Sequence, residues 1–190
     1  ASDWSSDVCS SDLNNRGVCD HFGLTDEVDL IMGTFSKSFA SLGGFIATDE
    51  VITNYLRHHS RSYIFTASIT PAATAAVSAA LDIMIAEPER QEHLWENTHY
   101  ALEGFRQMGC EIGHTETPII PLFIRDNNLT FLITRELLDE GIFVNPVVSP
   151  AVAPNDTLIR FSLMATHTRE QVTFALEKIQ KVFRSHNLIP

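Results

Sequence analysis

The run Gly33-Thr-Phe-Ser-Lys-Ser-Phe-Ala-Ser-Leu-Gly-Gly44 places one lysine, Lys37, among small and hydroxylated residues. It emerges from the apolar stretch Val28-Asp-Leu-Ile-Met-Gly-Thr34. A lysine that forms a Schiff base must lose its proton, and desolvation at the end of a buried strand favours the neutral amine. The glycines and Ala40 let a flat ring come close to the backbone, while Thr34, Ser36, Ser38 and Ser41 offer hydroxyl donors to a phosphate. These are the requirements of a pyridoxal phosphate lysine. Taken alone, the same residues also suit a surface lysine in a polar turn.

Other chemistry-bearing types give less. Cys9, Cys19 and Cys110 form no C-x-x-C pair and have no histidine at ligand spacing, so free thiols in a reducing cytosol are expected, with no metal site. His58-His59, flanked by Arg57 and Arg61, reads as a solvated helix face. The chain has 190 residues, a formal charge of −11, 44% hydrophobic and 19% charged residues. This composition supports a core and argues against a nucleic-acid partner, because no basic stripe offers counterion release. No apolar run is long enough for a membrane helix and no signal-peptide layout is present, so a soluble cytoplasmic protein is expected.

The elements that would position these residues alternate between strand and helix. Val28–Thr34 reads as a strand buried on both faces, and Phe45–Thr48 and Tyr63–Thr66 as short β-favouring runs. Asp49 opens a helix to about His58. Thr70-Pro71 caps an Ala-rich helix ending near Glu87-Pro88. A second long helix runs from about Glu89 to Gly109 with Leu94, Ala101, Leu102, Phe105 and Met108 inward. Beyond Cys110, Ile119–Ile124 with its Pro121 is an edge strand, followed by a helix stopped by Gly141. Ile142–Asn145 and Leu158–Leu163 are strands. Thr168-Arg-Glu-Gln171 is a capping box opening a last helix that buries Val172, Ala175, Leu176, Ile179 and Phe183. The organisation expected is a Ser/Asp-rich tail over 1–13 that is non-native or disordered, an α/β portion over 14–110, and a small α+β lobe over 111–190.

VDLIMGTFSKSFASLGGFIA resembles the cofactor-lysine segment of the α-oxoamine synthases, pyridoxal phosphate enzymes that condense an amino acid with an acyl-CoA. RSYIFTASITPA, GIFVNPVVSPAVAP and LIRFSLMATHT match the same family in order. Within it, TFSKS, RSYIFTAS and HLWENT most resemble soluble bacterial serine palmitoyltransferases. Glycine C-acetyltransferases and 8-amino-7-oxononanoate synthases typically carry glycine in place of Ser36. The resemblance implies an α/β fold-type-I transferase like aspartate aminotransferase: a partial large domain followed by a small C-terminal α+β domain.

The resemblance also implies roles. Lys37 matches the lysine that bonds the cofactor, Thr34 a phosphate contact, and Ser36 flanks it. Thr66 and Ala67 match a segment reaching the cofactor phosphate of a neighbouring subunit, which implies a homodimer with shared sites. Arg160 matches the arginine that binds the substrate carboxylate, a role suited to a planar, bidentate guanidinium; without the family it reads as a strand-edge surface arginine. The substrates implied are L-serine and a long-chain acyl-CoA, joined with loss of CO₂ to a 3-keto long-chain base in sphingolipid biosynthesis. A glycine C-acetyltransferase or 8-amino-7-oxononanoate synthase-like enzyme, an aminotransferase, and a non-catalytic truncated subunit are the alternatives. The family's aspartate for the pyridine nitrogen and its ring-stacking histidine lie upstream of Asn15-Arg16-Gly17, where this chain has its Ser/Asp-rich stretch. The expectation is therefore a later half of the enzyme, inactive by itself.

Overall fold

A short helix α1 (Val18–His21) and a 3₁₀ turn (Thr25–Glu27) lead into strand β1 (Leu30–Thr34). The chain then loops back as β2 (Gly44–Thr48), antiparallel to β1, with Leu30 opposite Thr48 and Thr34 opposite Gly44. Helices α2 (Glu50–His59), α3 (Arg61–Ile64) and α4 (Pro71–Ala86) follow. The computed structural model describes residues 17–115 and 117–190. The tail expected over 1–13, Cys9 and the Asn15-Arg16 junction lie outside the described residues. These residues fall into two compact units that divide between Pro88 and Glu89.

The first unit departs from the sequence reading in two places. β1 belongs to a two-stranded ribbon rather than a sheet covered on both faces, and Met32 is 59% exposed. An apolar run without alternation signals burial only where layers exist on both sides, and a ribbon supplies neither. Tyr63–Thr66, expected as extended, instead straddles the end of α3 and the loop after it. There the Ser60 hydroxyl accepts the Tyr63 N–H at 3.4 Å, so the cap outweighs the β propensity of Tyr63 and Ile64. Helix α4 starts as expected: Thr70 Oγ1 accepts the Ala73 N–H at 3.3 Å and Pro71 occupies the first turn. Its Ala, Val, Leu, Ile and Met side chains surround the helix, a composition built for burial on all sides, yet none of its residues is buried.

The second unit holds the hydrophobic core. It comprises α5 (Glu89–Met108), β3 (Ile119–Phe123), α6 (Asn127–Asp139), β4 (Asn145–Val147), a 3₁₀ turn (Pro154–Asp156), β5 (Leu158–Ser162) and α7 (Arg169–Ser185). The sheet is antiparallel in the order β3-β5-β4, so Pro121 sits on an edge strand, where its missing N–H breaks no inner ladder. Alternation on β5 buries Ile159 and Phe161 and exposes Arg160 and Ser162. Ile120, Leu122, Ile133, Leu137 and Ile159 are fully buried with Phe105 and Ile179, and Phe105 meets Phe161 edge-on at 5.1 Å. The core-facing positions of α7 are those the sequence names, with Val182 in addition. Its Thr168–Gln171 capping box forms in both directions. The composition change at Cys110 places a sequence boundary near residue 110. The compact units divide earlier because α5 contributes Ala101, Leu102 and Phe105 to the second core.

Candidate functional site

The β1–β2 ribbon exists to carry the loop Phe35–Gly43. Its register closes tightly: Phe35 N–H donates to Gly43 O at 2.9 Å, and Ser41 N–H donates to Phe35 O at 2.8 Å. Gly44 lies so close to the facing strand that a Cβ would come within 2.5 Å of Gly33 O. Gly43 has φ 91°, where a side chain is strained, and a Cβ there would also press on Ile69 at 3.2 Å. Ala40 takes φ 48° without being glycine, a local cost the loop tolerates to make its turn. Within this frame Thr34 Oγ1 and Ser36 Oγ pair at 2.9 Å, and Ser36 N–H donates to Thr34 Oγ1 at 3.3 Å. The outcome is a small exposed cluster of hydroxyls beside Lys37.

Lys37 itself is exposed. The described residues therefore do not provide the desolvation expected of a buried strand end, because the ribbon has no covering layer. The chain's three lysines are nevertheless unlike one another. Lys178 and Lys181 both donate to Glu140, at 2.6 and 2.5 Å, whereas Lys37 has no ion-pair partner among the described residues. The Lys37 loop is braced by the start of α4, since Ser41 Oγ donates to Ala73 O at 3.1 Å. Thr66 and Ala67 lie just upstream of that brace in an exposed loop, where the Thr66 hydroxyl has no partner among the described residues.

Arg160 belongs to the second unit, on the central strand β5 rather than at a sheet edge, between Pro121 of β3 and Asn145 of β4. Its side chain projects from the solvent face and has no hydrogen-bond or ion-pair partner among the described residues. It opens into a cavity of about 710 Å³ lined also by Phe143, Asn145, His167 and Phe174. A free guanidinium facing an apolar wall can hold an anionic group bidentately. Of the two described cysteines, Cys110 has its thiol pushed up to about 11 by burial, which leaves it a poor nucleophile. Among the described residues no group of three His, Cys, Asp or Glu side chains is placed to hold a metal ion.

A family model described as aminotransferase class I and II matches residues 6–179. The chain belongs to the aminotransferase class I and II family. Members similar to it include the serine palmitoyltransferase of Bacteroides thetaiotaomicron, 63% identical over 92% of this chain and 44% of that protein. The serine palmitoyltransferase of Sphingobacterium spiritivorum is 58% identical over 90% of this chain and 43% of its own length. The 8-amino-7-oxononanoate synthase of Petrotoga mobilis is 41% identical over 90% and 44%. Among solved structures, Sphingomonas wittichii serine palmitoyltransferase superposes with a TM-score of 0.90 at 32% identity, covering 98% of this chain and 47% of that one. A second, described as serine palmitoyltransferase with a pyridoxal phosphate internal aldimine, gives 0.91 at 30%, covering 97% and 47%. The chain thus spans less than half the length of these relatives and has the fold of that stretch of an aminotransferase class I and II enzyme.

In this aminotransferase-family chain the structure groups Thr34, at the end of β1, with Ser36 and Lys37 of the loop that follows, and Arg160 belongs to the other compact unit. Among the polar residues that line the Arg160 cavity, the sequence reading gave no site role to Asn145 or His167, nor to Ser162, Glu170 and Gln171. His167 Nδ1 accepts the Met164 N–H at 3.2 Å, and Asn97 Nδ2 donates to His167 O at 2.7 Å. A neutral His167 thus carries its proton on Nε2. For Asn145 the available signal was an asparagine inside a short strand, a place its propensity disfavours.

Proposed function

We propose that the protein containing this chain is a pyridoxal phosphate-dependent acyltransferase that condenses L-serine with a long-chain acyl-CoA, releasing CoA and CO₂ and forming a 3-keto long-chain base for sphingolipid synthesis. The observation that carries this reading is the 58–63% identity, along 90–92% of the chain, to proteins named serine palmitoyltransferase. The loop geometry supports it. Lys37 is the lysine without a carboxylate partner among the described residues, and Thr34 and Ser36 present a hydroxyl pair beside it. These residues fit the lysine bond and the phosphate of the cofactor. When bound, pyridoxal phosphate supplies an electron sink for the carbanion formed at the substrate Cα.

The chain's own residues have the following work. Lys37 would hold the cofactor, and its Nζ, when free, would take the serine Cα proton as general base. Thr34 and Ser36 donate to the phosphate and fix the ring's position. Arg160 grips the serine carboxylate, so that the bond to be broken is set by the arginine fork rather than by free rotation. Thr66 and Ala67 reach the cofactor phosphate of a second subunit in a homodimer, and their exposure in a loop supports that role. The 190-residue chain alone binds the cofactor weakly and is inactive, and the whole enzyme acts in the cytoplasm.

The test uses the full-length protein with carboxyl-labelled serine and a long-chain acyl-CoA. Labelled CO₂ and a 3-keto long-chain base in equal amounts are expected. Oxo-acid formation without CO₂ would identify an aminotransferase and overturn the proposal. A second reading rests on the relatives named 8-amino-7-oxononanoate synthase at 39–41% identity. Under it, alanine or glycine would replace serine as the preferred amino acid in the same assay.

A further inference from the structure

We propose that Asn145 is a second carboxylate-binding residue, which donates its side-chain amide to the same substrate carboxylate that Arg160 holds. The inference rests on the carboxylate role given to Arg160 above. Asn145 is the direct cross-strand partner of Arg160 in the β4–β5 ladder, and residues directly opposite in an antiparallel pair project from the same face, their Cβ atoms about 5 Å apart. The partner on the other side, Pro121, carries no donor. Asn145 is therefore the polar neighbour of Arg160 across the sheet, and both line the same cavity.

Nothing in the fold accounts for an asparagine there. Val or Thr would suit the strand better, and the Asn145 side chain is exposed with no hydrogen-bond partner among the described residues. Pro146 holds the preceding residue in extended backbone, which keeps Asn145 in register with Arg160. Two side chains with unused donors thus face one space: a guanidinium with five N–H groups and an amide with two. A carboxylate has two oxygens and about four lone pairs to receive them. The amide adds donors without adding charge, so the pair carries one positive charge against one negative. Phe143 and Phe174 add apolar surface to the cavity wall, which Glu170 and Gln171 also line.

The experiment measures serine binding to full-length holoenzyme by the change in cofactor absorbance, with serinamide as the control ligand lacking the carboxylate. Asn145→Ala is expected to weaken serine about tenfold, the effect of losing one hydrogen bond to a charged group. Asn145→Asp, of the same size, sets a negative charge beside the substrate's and is expected to weaken serine further. Both variants should bind serinamide as the parent does and keep its melting temperature. Unchanged serine affinity in both variants would overturn the inference, as would equal losses for serine and serinamide, which would mark a structural role. Arg160→Ala run alongside separates the two claims. If it weakens serine while the Asn145 variants do not, only this inference fails; if it leaves serine binding intact, the carboxylate reading fails and takes this inference with it.

Discussion

The alternation on β5 places Arg160 on the solvent face beside buried Ile159 and Phe161, so removing its side chain leaves the core untouched. Arg160→Ala in the full-length enzyme is expected to weaken serine binding about 10- to 150-fold, the range for a lost charge-assisted hydrogen bond of about 1.5–3 kcal/mol. Thermal melting should barely change, and Arg160→Lys should recover only part of the affinity because an ammonium cannot reproduce the fork. Titration with serine checks both. At this scale the local residues around Lys37 left a polar-turn lysine open, and the family resemblance of VDLIMGTFSKSFASLGGFIA is what pointed to the cofactor lysine. The role proposed for Asn145 had no local signal, since it depends on a cross-strand neighbour fifteen positions away that only the register supplies.

Helices were legible where caps and periodicity agreed: Thr70-Pro71 and Thr168–Gln171 both open the helices they announce. Thr168→Ala removes the hydroxyl half of a reciprocal cap, leaving the Thr168 backbone N–H to Gln171 bond in place, and is expected to cost about 1 kcal/mol, seen as a lower unfolding midpoint at unchanged denaturant slope. A second element-scale link ties α6 to α7 through Glu140, whose carboxyl is held down at about 2 by its hydrogen bonds to Lys178 and Lys181. Because the folded pKa lies below the ordinary value of 4.5, this contribution is present above pH 4.5 and is lost as pH falls toward 2. Glu140→Gln should therefore flatten part of the pH dependence of stability across that window; an unchanged acid limb would show that the tether adds nothing. The strand of β1 was legible as a strand but not as a ribbon, and the Tyr63–Thr66 run misled because a serine cap three residues upstream of Tyr63 outweighs β propensity over so short a span.

Across the whole molecule the two units are unequal. Every buried apolar side chain of the core lies between Ala101 and Ile189, whereas Leu30, Met32, Phe65 and Ile85 of the first unit are exposed. A two-stranded ribbon with unburied helices has little to hold it closed. Brief proteolysis of the 190-residue chain is expected to degrade the first unit and leave a protected fragment beginning near Glu89; even cutting of both units would contradict this. Most elements were legible because each carries its own pattern, although the strand expected over Ile142–Asn145 lies at Asn145–Val147, while the uneven burial was not, since it depends on layers that residues 17–88 do not supply among themselves. The central claim is that Lys37 is the residue to which the cofactor is joined in the full-length enzyme. Borohydride reduction of the purified holoenzyme, followed by peptide mass spectrometry, tests it most directly. A pyridoxyl adduct on the peptide containing Lys37, lost in Lys37→Ala together with turnover, is the result expected. An adduct on any other lysine, or full turnover in Lys37→Ala, would contradict it.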